Sequence, residues 1–377
     1  MTPRPHERPR HDRAVGALLG APAAAALEAP HAKPHPPPAL ERLTHAALER
    51  LTHAALEELT TREETPHPPT DPTDRAWVRA LRALARTGTP PEHLPELDDA
   101  PHHDPRGASW KALTRTPPTP HDPARGSFAC DHLVQAVRAA HHAHDLPTAL
   151  YTGALAGALW GASALPARAL RGIGAHTDPH TPTTEALRLA GPTPDEERWP
   201  LAPLNSEDGH TFPSFAVPHP LDPHVLLGDM EYLRNNPHAV DTVVSLCRTH
   251  PDDAPHLPHH DWLRFWLHDS SAANANLHFT LNEAAAAVTD LRAQGRRVLL
   301  HCWAGASRTP AVATRYAVTA LGAPLLPTMA DMIRTVGGHL DNPSLSRAVA
   351  ELDGRELPDP AKSLFNGHLP PRRTPTG

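Results

Sequence analysis

Cys302 and Arg308 stand in the spacing C-x5-R within VLLHCWAGASRTP (298–310), where a continuous apolar run gives way to Thr309 and Pro310, at which a helix can begin. A loop wrapped over a helix N-terminus points several backbone N–H groups inward and forms an anion nest. Those donors, with the helix dipole, favour a thiolate at Cys302. Arg308, at the mouth of the same loop, can clamp two equatorial oxygens of a phosphate through its planar fork. Gly305 lets the backbone turn tightly, and Thr309 can donate its hydroxyl to the sulfur when that sulfur becomes the leaving group. The chemistry expected is attack of a thiolate on phosphorus, giving a cysteinyl-phosphate intermediate. It also needs a general acid for the departing alkoxide. Asp269, in WLHDS (266–270), follows an apolar run that could be a neighbouring strand, so its loop could hang over the cradle. A carboxyl beside a bound dianion is pushed toward its protonated form. Asp261, Asp241 and Asp290 are nearby alternatives for this role.

These residues need elements to hold them. VDTVVSL (240–246) and RRVLLHC (296–302) are short apolar runs of the kind found in buried strands of a mostly parallel sheet. Phe279, Leu281, Ala285, Val288 and Leu291 trace one face of a helix that ends before 296. Thr328 with Asp331 is expected to form a capping box ahead of Met329, Met332, Ile333 and Val336. Asn342 and Pro343 start a last helix with Leu345, Val349 and Leu352 inward, closed by Gly354. The C-terminal half therefore reads as α/β. The first half reads as all-helical: Trp77, Leu81 and Leu84 on a short helix ended by Gly88, Asp131 capping a helix with Leu133, Val137 and Ala140, and a glycine-rich helix at about 148–162.

HCWAGASRT (301–309) meets every fixed position of H-C-x-x-G-x-x-R-[ST], and so resembles the signature of the cysteine-dependent protein tyrosine phosphatases in their dual-specificity form. HVLLGDMEYL (224–233) resembles that family's entry strand with its Gly-Asp, VDTVVSLC (240–247) its next strand, and WLHDS its acid loop; the likeness covers about 215–355. The resemblance implies a three-layer α/β domain around a mostly parallel sheet and a metal-independent hydrolase of phosphotyrosine, phosphoserine and phosphothreonine. Its substrate would be a phosphoprotein or a small phosphate ester. By that analogy Cys302 is nucleophile, Arg308 binds phosphate, Asp269 is general acid, Thr309 assists thiolate release and His301 orients the loop. Trp303, Ala304, Gly305, Ala306 and Ser307 would line the substrate site. Ala304, Ala306 and Ser307 carry no charge, where lipid-phosphate relatives tend to place lysines, and Trp303 is a departure from the pattern. A shallow, permissive pocket is expected.

Two stretches of the helical half resemble ADP-ribosylglycohydrolases: GALLGAPAAAAL (16–27) the opening helix, and HDLPTALYTGALAGALWGASALP (144–166) the C-terminal metal motif and glycine helix. That family binds two magnesium ions through Asp and Thr oxygens, the hard ligands this ion requires. In its G-D-x-D-T pattern this chain has His144, Asp145, Leu146, Pro147 and Thr148, with Ala25 where the opening helix carries Asp. With several carboxylates lost, a degenerate, truncated scaffold or docking surface is expected, and no metal site. The rival functions are thus a magnesium-dependent ADP-ribosyl hydrolase and a catalytically weak module that binds phospho-ligands.

The 377 residues carry Lys+Arg 35 against Asp+Glu 42, a net charge of −7, which argues against a general nucleic-acid binder. Proline, at 47, demands loops and linkers. Cys130, Cys247 and Cys302 show no CxxC spacing, so a reduced, cytoplasmic chain is the default. Residues 14–27 look like a signal peptide but are mostly Ala and broken by Pro22; 146–167 is uncharged but too Pro- and Ala-rich for a spanning helix, so no membrane partner is expected. Gly153, Gly157 and Gly161, four apart, suit close packing inside a helical core. The octapeptide ERLTHAAL occurs twice in tandem (41–56), as an expansion inside one amphipathic helix. The clusters His102–His103, His141–His142–His144 and His259–His260 are discounted as metal sites because 30 histidines are spread along the chain. The expected organisation is a disordered tail at 1–13, the helical region at 14–172, a Pro-rich linker at 173–212, the phosphatase-like domain at 213–357 and a disordered tail at 358–377. Oligomeric state has no signature.

Overall fold

The computed structural model describes residues 8–28, 39–57, 59, 69–191, 201, 203, 213–236 and 238–373. Two units emerge, one from Met1–Pro120 with Ala129–Pro200, the other from His121–Phe128 with Leu201–Gly377.

The first unit is helical: α1 (Arg8–Glu28), α2 (Ala39–Glu57), α3 (Pro72–Thr87), α4 (Pro95–Asp98), α5 (Pro105–Arg115), α6 (His132–Ala143), α7 (Leu146–Trp160), α8 (Ala167–His176) and α9 (His180–Ala190). Its centre is the crossing of α1 and α7, and the glycines explain how close that crossing is. A Cβ on Gly157 would lie 1.9 Å from the carbonyl oxygen of Gly16, and one on Gly153 would lie 2.3 Å from that of Gly20. The backbones touch, as small residues alone permit. Gly161 does not continue this face; it lies past the end of α7 at φ +89°, against the Asp12 carboxylate. Trp77 packs edge-on to Tyr151 with ring centroids 5.3 Å apart. The repeat lies within α2 as one helix, with Leu48, Leu51 and Leu56 buried. Gly88 ends α3 in the left-handed conformation, as its position suggests. Asp131 precedes α6 but makes no capping hydrogen bond with its side chain.

Several boundaries differ from those read in the sequence. Within 1–13, helix α1 already begins at Arg8, because its polar residues find distant partners. The Asp12 carboxylate accepts from the Ser163 amide at 2.8 Å and from its hydroxyl at 2.5 Å, and Arg13 Nε donates to Ala85 O. Within 173–212, α9 forms and buries Leu187 and Leu189. Residues 192–200, 202 and 204–212 of that stretch lie outside those described. Residues 121–128, read with the helical half, belong to the second unit, where Phe128 meets Phe279 edge-on at 5.6 Å.

The second unit is built on a mixed sheet of β1 (Ala216–His219), β2 (Asp222–Gly228), β3 (Thr242–Ser245), β4 (Trp262–Arg264) and β5 (Val298–His301), in the order β1-β2-β5-β3-β4. Only β1 runs antiparallel to its neighbour; the other pairings are parallel. With β5 between β2 and β3, His301 is in register with both Gly228 and Ser245. The helices are α10 (Met230–Asn235), α11 (Leu277–Ala293), α12 (Arg308–Leu321), α13 (Leu325–Thr335), α14 (Pro343–Glu351) and α15 (Pro360–Phe365). Thr328 is no cap: α13 starts one turn earlier, after Pro324, and the Thr328 amide donates to Pro324 O. Asn342 does cap α14, accepting from the Ser344 amide. Residues 358–373 are not a free tail: α15 buries Leu364 and Phe365, and Arg373 reaches back to Gly337.

Candidate active site

The segments that follow four parallel strands converge at one end of the sheet, where open α/β sheets bind ligands. They carry Asp229 after β2, Leu246 and Cys247 after β3, Leu267 and Asp269 after β4, and Cys302 after β5. The loop from Cys302 turns through Gly305, at φ +70°, into α12, whose first residue is Arg308. A side chain at position 305 is excluded twice over, since a Cβ there would come within 2.5 Å of the Phe215 ring.

The loop is held by its carbonyls. Trp303 O accepts from the Met230 amide at 3.1 Å and Ala304 O from Arg373 Nη2 at 3.2 Å. Among the described residues no acceptor meets the amides of Trp303, Ala304, Gly305, Ala306 or Ser307. Carbonyls tied outward and amides left unaccepted at a helix N-terminus are the geometry of an anion nest.

Cys302 is buried at the start of this loop. His301 is fully buried; its Nε2 lies 2.6 Å from Ser245 Oγ and its Nδ1 3.2 Å from Cys302 O. Because Trp262 Nε1 donates to the same Ser245 Oγ at 2.8 Å, the Ser245 hydroxyl hydrogen is free to go to His301 Nε2. That assigns the proton of neutral His301 to Nδ1, which donates to Cys302 O. Burial holds the His301 pKa down at about 4, with Arg308 and Arg234 acting in the same direction. Cys247 is also buried, and burial pushes its thiol well above the ordinary range.

Arg308 is anchored from behind: Nη1 donates to Leu246 O at 2.9 Å and to Leu267 O at 3.2 Å. Its Nε is buried without a hydrogen-bond partner. Burial opposes its charge, but the sulfurs of Cys302 and Cys247 and the Asp269 carboxylate outweigh that and raise its pKa. The Thr309 hydroxyl is buried and likewise makes no hydrogen bond. Trp303 is half-buried, with Arg234 5.6 Å over its ring, while Ala304, Ala306 and Ser307 are half-buried along the loop. A shallow surface cleft beside it is lined by Ala306, Ser307, Pro310, Leu340 and Asn342, among others.

Asp269 is the carboxylate brought to this loop. Its Oδ2 lies 4.0 Å from Arg308 Nε, and its Oδ1 accepts from Asn342 Nδ2 at 3.0 Å. Asn274 clips the loop that carries it, accepting from the His268 amide and donating to His268 O and Ser270 O. The alternatives lie elsewhere. Asp261 pairs with Arg296 at 2.8 Å, Asp241 binds the Arg297 amide at 2.9 Å, and Asp290 is exposed on α11. Ser245, Asn274, Phe215 and Arg373 were not singled out by the sequence, and Asn342 was read there only as the start of a helix. Each is a common residue type whose role comes from partners distant in the chain.

Among its described residues the first unit assembles no comparable site. Asp145 Oδ1 accepts from the Thr148 amide at 2.9 Å and hydroxyl at 2.7 Å, so the two residues that match the expected magnesium motif cap α7. Pro147 and Ala25 offer no side-chain oxygen. Among the described residues no group of three or more His, Cys, Asp and Glu gathers to hold a metal, and the ligand set for magnesium does not fit. No helix among them is long and apolar enough to cross a membrane. No protein-family model, curated protein or solved structure matches the chain.

Proposed function

We propose that the second unit is a cysteine-dependent phosphatase of the dual-specificity type, hydrolysing phosphate monoesters through a cysteinyl-phosphate. The observation that carries this reading is the loop 302–308: amides without acceptors on a loop that begins at a buried cysteine, with a guanidinium whose buried Nε has no hydrogen-bond partner. A phosphate dianion has the charge and the acceptor count to satisfy both. Cys302 Sγ attacks phosphorus as the P–O ester bond breaks. Asp269, through Oδ2, gives its proton to the departing alkoxide, since Oδ1 is held by Asn342. Water then attacks the phosphoryl group with Asp269 as base; the P–S bond breaks, inorganic phosphate leaves and the thiolate returns. The Thr309 hydroxyl, which has no other partner, serves the sulfur as it leaves. The lack of charge on Ala304, Ala306 and Ser307 favours phosphorylated protein residues and small phosphate esters over lipid phosphates.

Turnover of p-nitrophenyl phosphate by the full chain is the test. It should survive chelator, be blocked by orthovanadate and vanish in Cys302→Ser. Turnover that persists in that variant rejects the mechanism, and phosphopeptide binding without turnover by the unaltered chain marks a reader instead.

A further inference from the structure

Resting on that reading of the loop, we propose that Arg373, outside the segment that resembles a phosphatase, is a positioning residue that aims one amide of the phosphate loop at the substrate. Ala304, Gly305 and Ala306 have no polar side chain with which to brace their own peptide planes. The orientation must be imposed from outside the loop. A trans peptide is planar, with its C=O and N–H pointing in opposite directions. Fixing the carbonyl of Ala304 outward therefore turns the amide of Gly305 inward, and Arg373 Nη2 makes that bond, at 3.2 Å. The Met230 amide does the same for the preceding plane through Trp303 O.

Arg373 is itself fixed on several sides. Its Nη1 donates to Val336 O at 3.0 Å, its amide donates to Gly337 O at 2.9 Å, and its guanidinium lies 3.6 Å from the centre of the Phe215 ring. Phe215 in turn covers Gly305, and its amide donates to Asp229 Oδ2 at 3.1 Å. The residues before Arg373 are sewn to the same place by Arg372 with Asp341 at 2.5 Å and by His339 with Pro370 O. A planar, forked cation suits this position: one nitrogen holds the 336 carbonyl, the other the loop, and the flat face stacks on the ring. Lysine can supply the charge but neither the fork nor the stack.

The experiment uses the full chain and its Arg373→Ala and Arg373→Lys variants. Three quantities are read: inhibition by orthovanadate, and kcat/KM on p-nitrophenyl phosphate and on an alkyl phosphomonoester. Loss of one aimed donor should weaken vanadate about tenfold in Arg373→Ala and lower kcat/KM by a similar factor on both esters, because the loop meets the phosphoryl group and not the leaving group. Arg373→Lys should fall between. A role in stability alone would lower the melting temperature while leaving vanadate affinity of the folded enzyme untouched, and that result overturns the proposal. Should Arg373→Ala not fold, a wild-type vanadate affinity in Arg373→Lys overturns it equally. Cys302→Ser separates the two levels: turnover surviving in it removes the phosphatase reading itself, whereas its loss alongside unchanged vanadate affinity in the Arg373 variants removes this inference alone.

Discussion

Arg308 shows at the scale of one residue how the candidate site is built. Two of its hydrogen bonds run backward to Leu246 O and Leu267 O, so the guanidinium is oriented before any anion arrives, and Nε faces the side of Asp269. Arg308→Lys keeps the charge but loses the fork and should lower kcat/KM about 10²–10³-fold, measured on p-nitrophenyl phosphate. Asp269→Asn keeps an oxygen for Asn342 but has no proton to give. Its kcat should fall by about 10² or more on alkyl phosphates and far less on p-nitrophenyl phosphate, whose leaving group needs little acid help. Equal losses on both substrates would deny Asp269 the role of acid. Ser245 sits behind His301 and joins it to Trp262. Ser245→Ala leaves the buried Trp262 Nε1 unpaired and should cost about 1–3 kcal/mol in a denaturant titration.

At the scale of elements, the α1–α7 crossing and the β5–α12 turn obey the same rule: backbone approach is set where side chains are absent. Gly157 has the Gly16 carbonyl within 1.9 Å of any added Cβ, so Gly157→Ala must push two helices apart. A destabilisation of about 1–3 kcal/mol is expected despite the better helix propensity of Ala, read from thermal unfolding of the full chain. A stabilised variant would mean that the crossing is looser than the structure has it. The β5–α12 turn instead uses one glycine, Gly305, at positive φ and under Phe215, so its constraint is conformational and steric together.

At the scale of the whole molecule, one fully buried group in each unit, His301 and Asp12, should contribute to stability with opposite dependence on pH. His301 has its pKa lowered from 6.5 to about 4 by burial. The unfolded chain therefore takes the proton first, and the His301 contribution is fully present above about 6.5 and is lost as pH falls toward 4, while Asp229, raised by burial, acts the other way within the same unit. His219, also lowered by burial, acts in the same direction as His301. Asp12, in the first unit, is raised from 3.8 to about 6 by burial, against its bonds to Ser163. Its contribution is fully present below 3.8 and is lost as pH rises through about 6. His132 opposes it within the same unit, so the Asp12 term is read as the difference between Asp12→Asn and the unaltered chain. Hydrogen exchange resolved by peptide should show that difference only in peptides of the first unit.

Local pattern carried much of this molecule. A strand followed at once by Cys302, a loop with Gly305, a helix opening on Arg308, and the caps at Gly88 and Asn342 depend on neighbours a few residues away, so the chain displays them directly. The division into a helical region and a sheet-containing one follows from hydrophobic period in the same way. What the linear pattern could not hold was any bond whose partner lies far along the chain. Asp12 with Ser163 starts α1 inside an apparent tail, and Asn342 with Asp269 orients a carboxylate. Arg373 donates to Ala304 O across 69 residues of chain. Such pairings have no period and no signature composition; they exist only once folding has brought the two residues together.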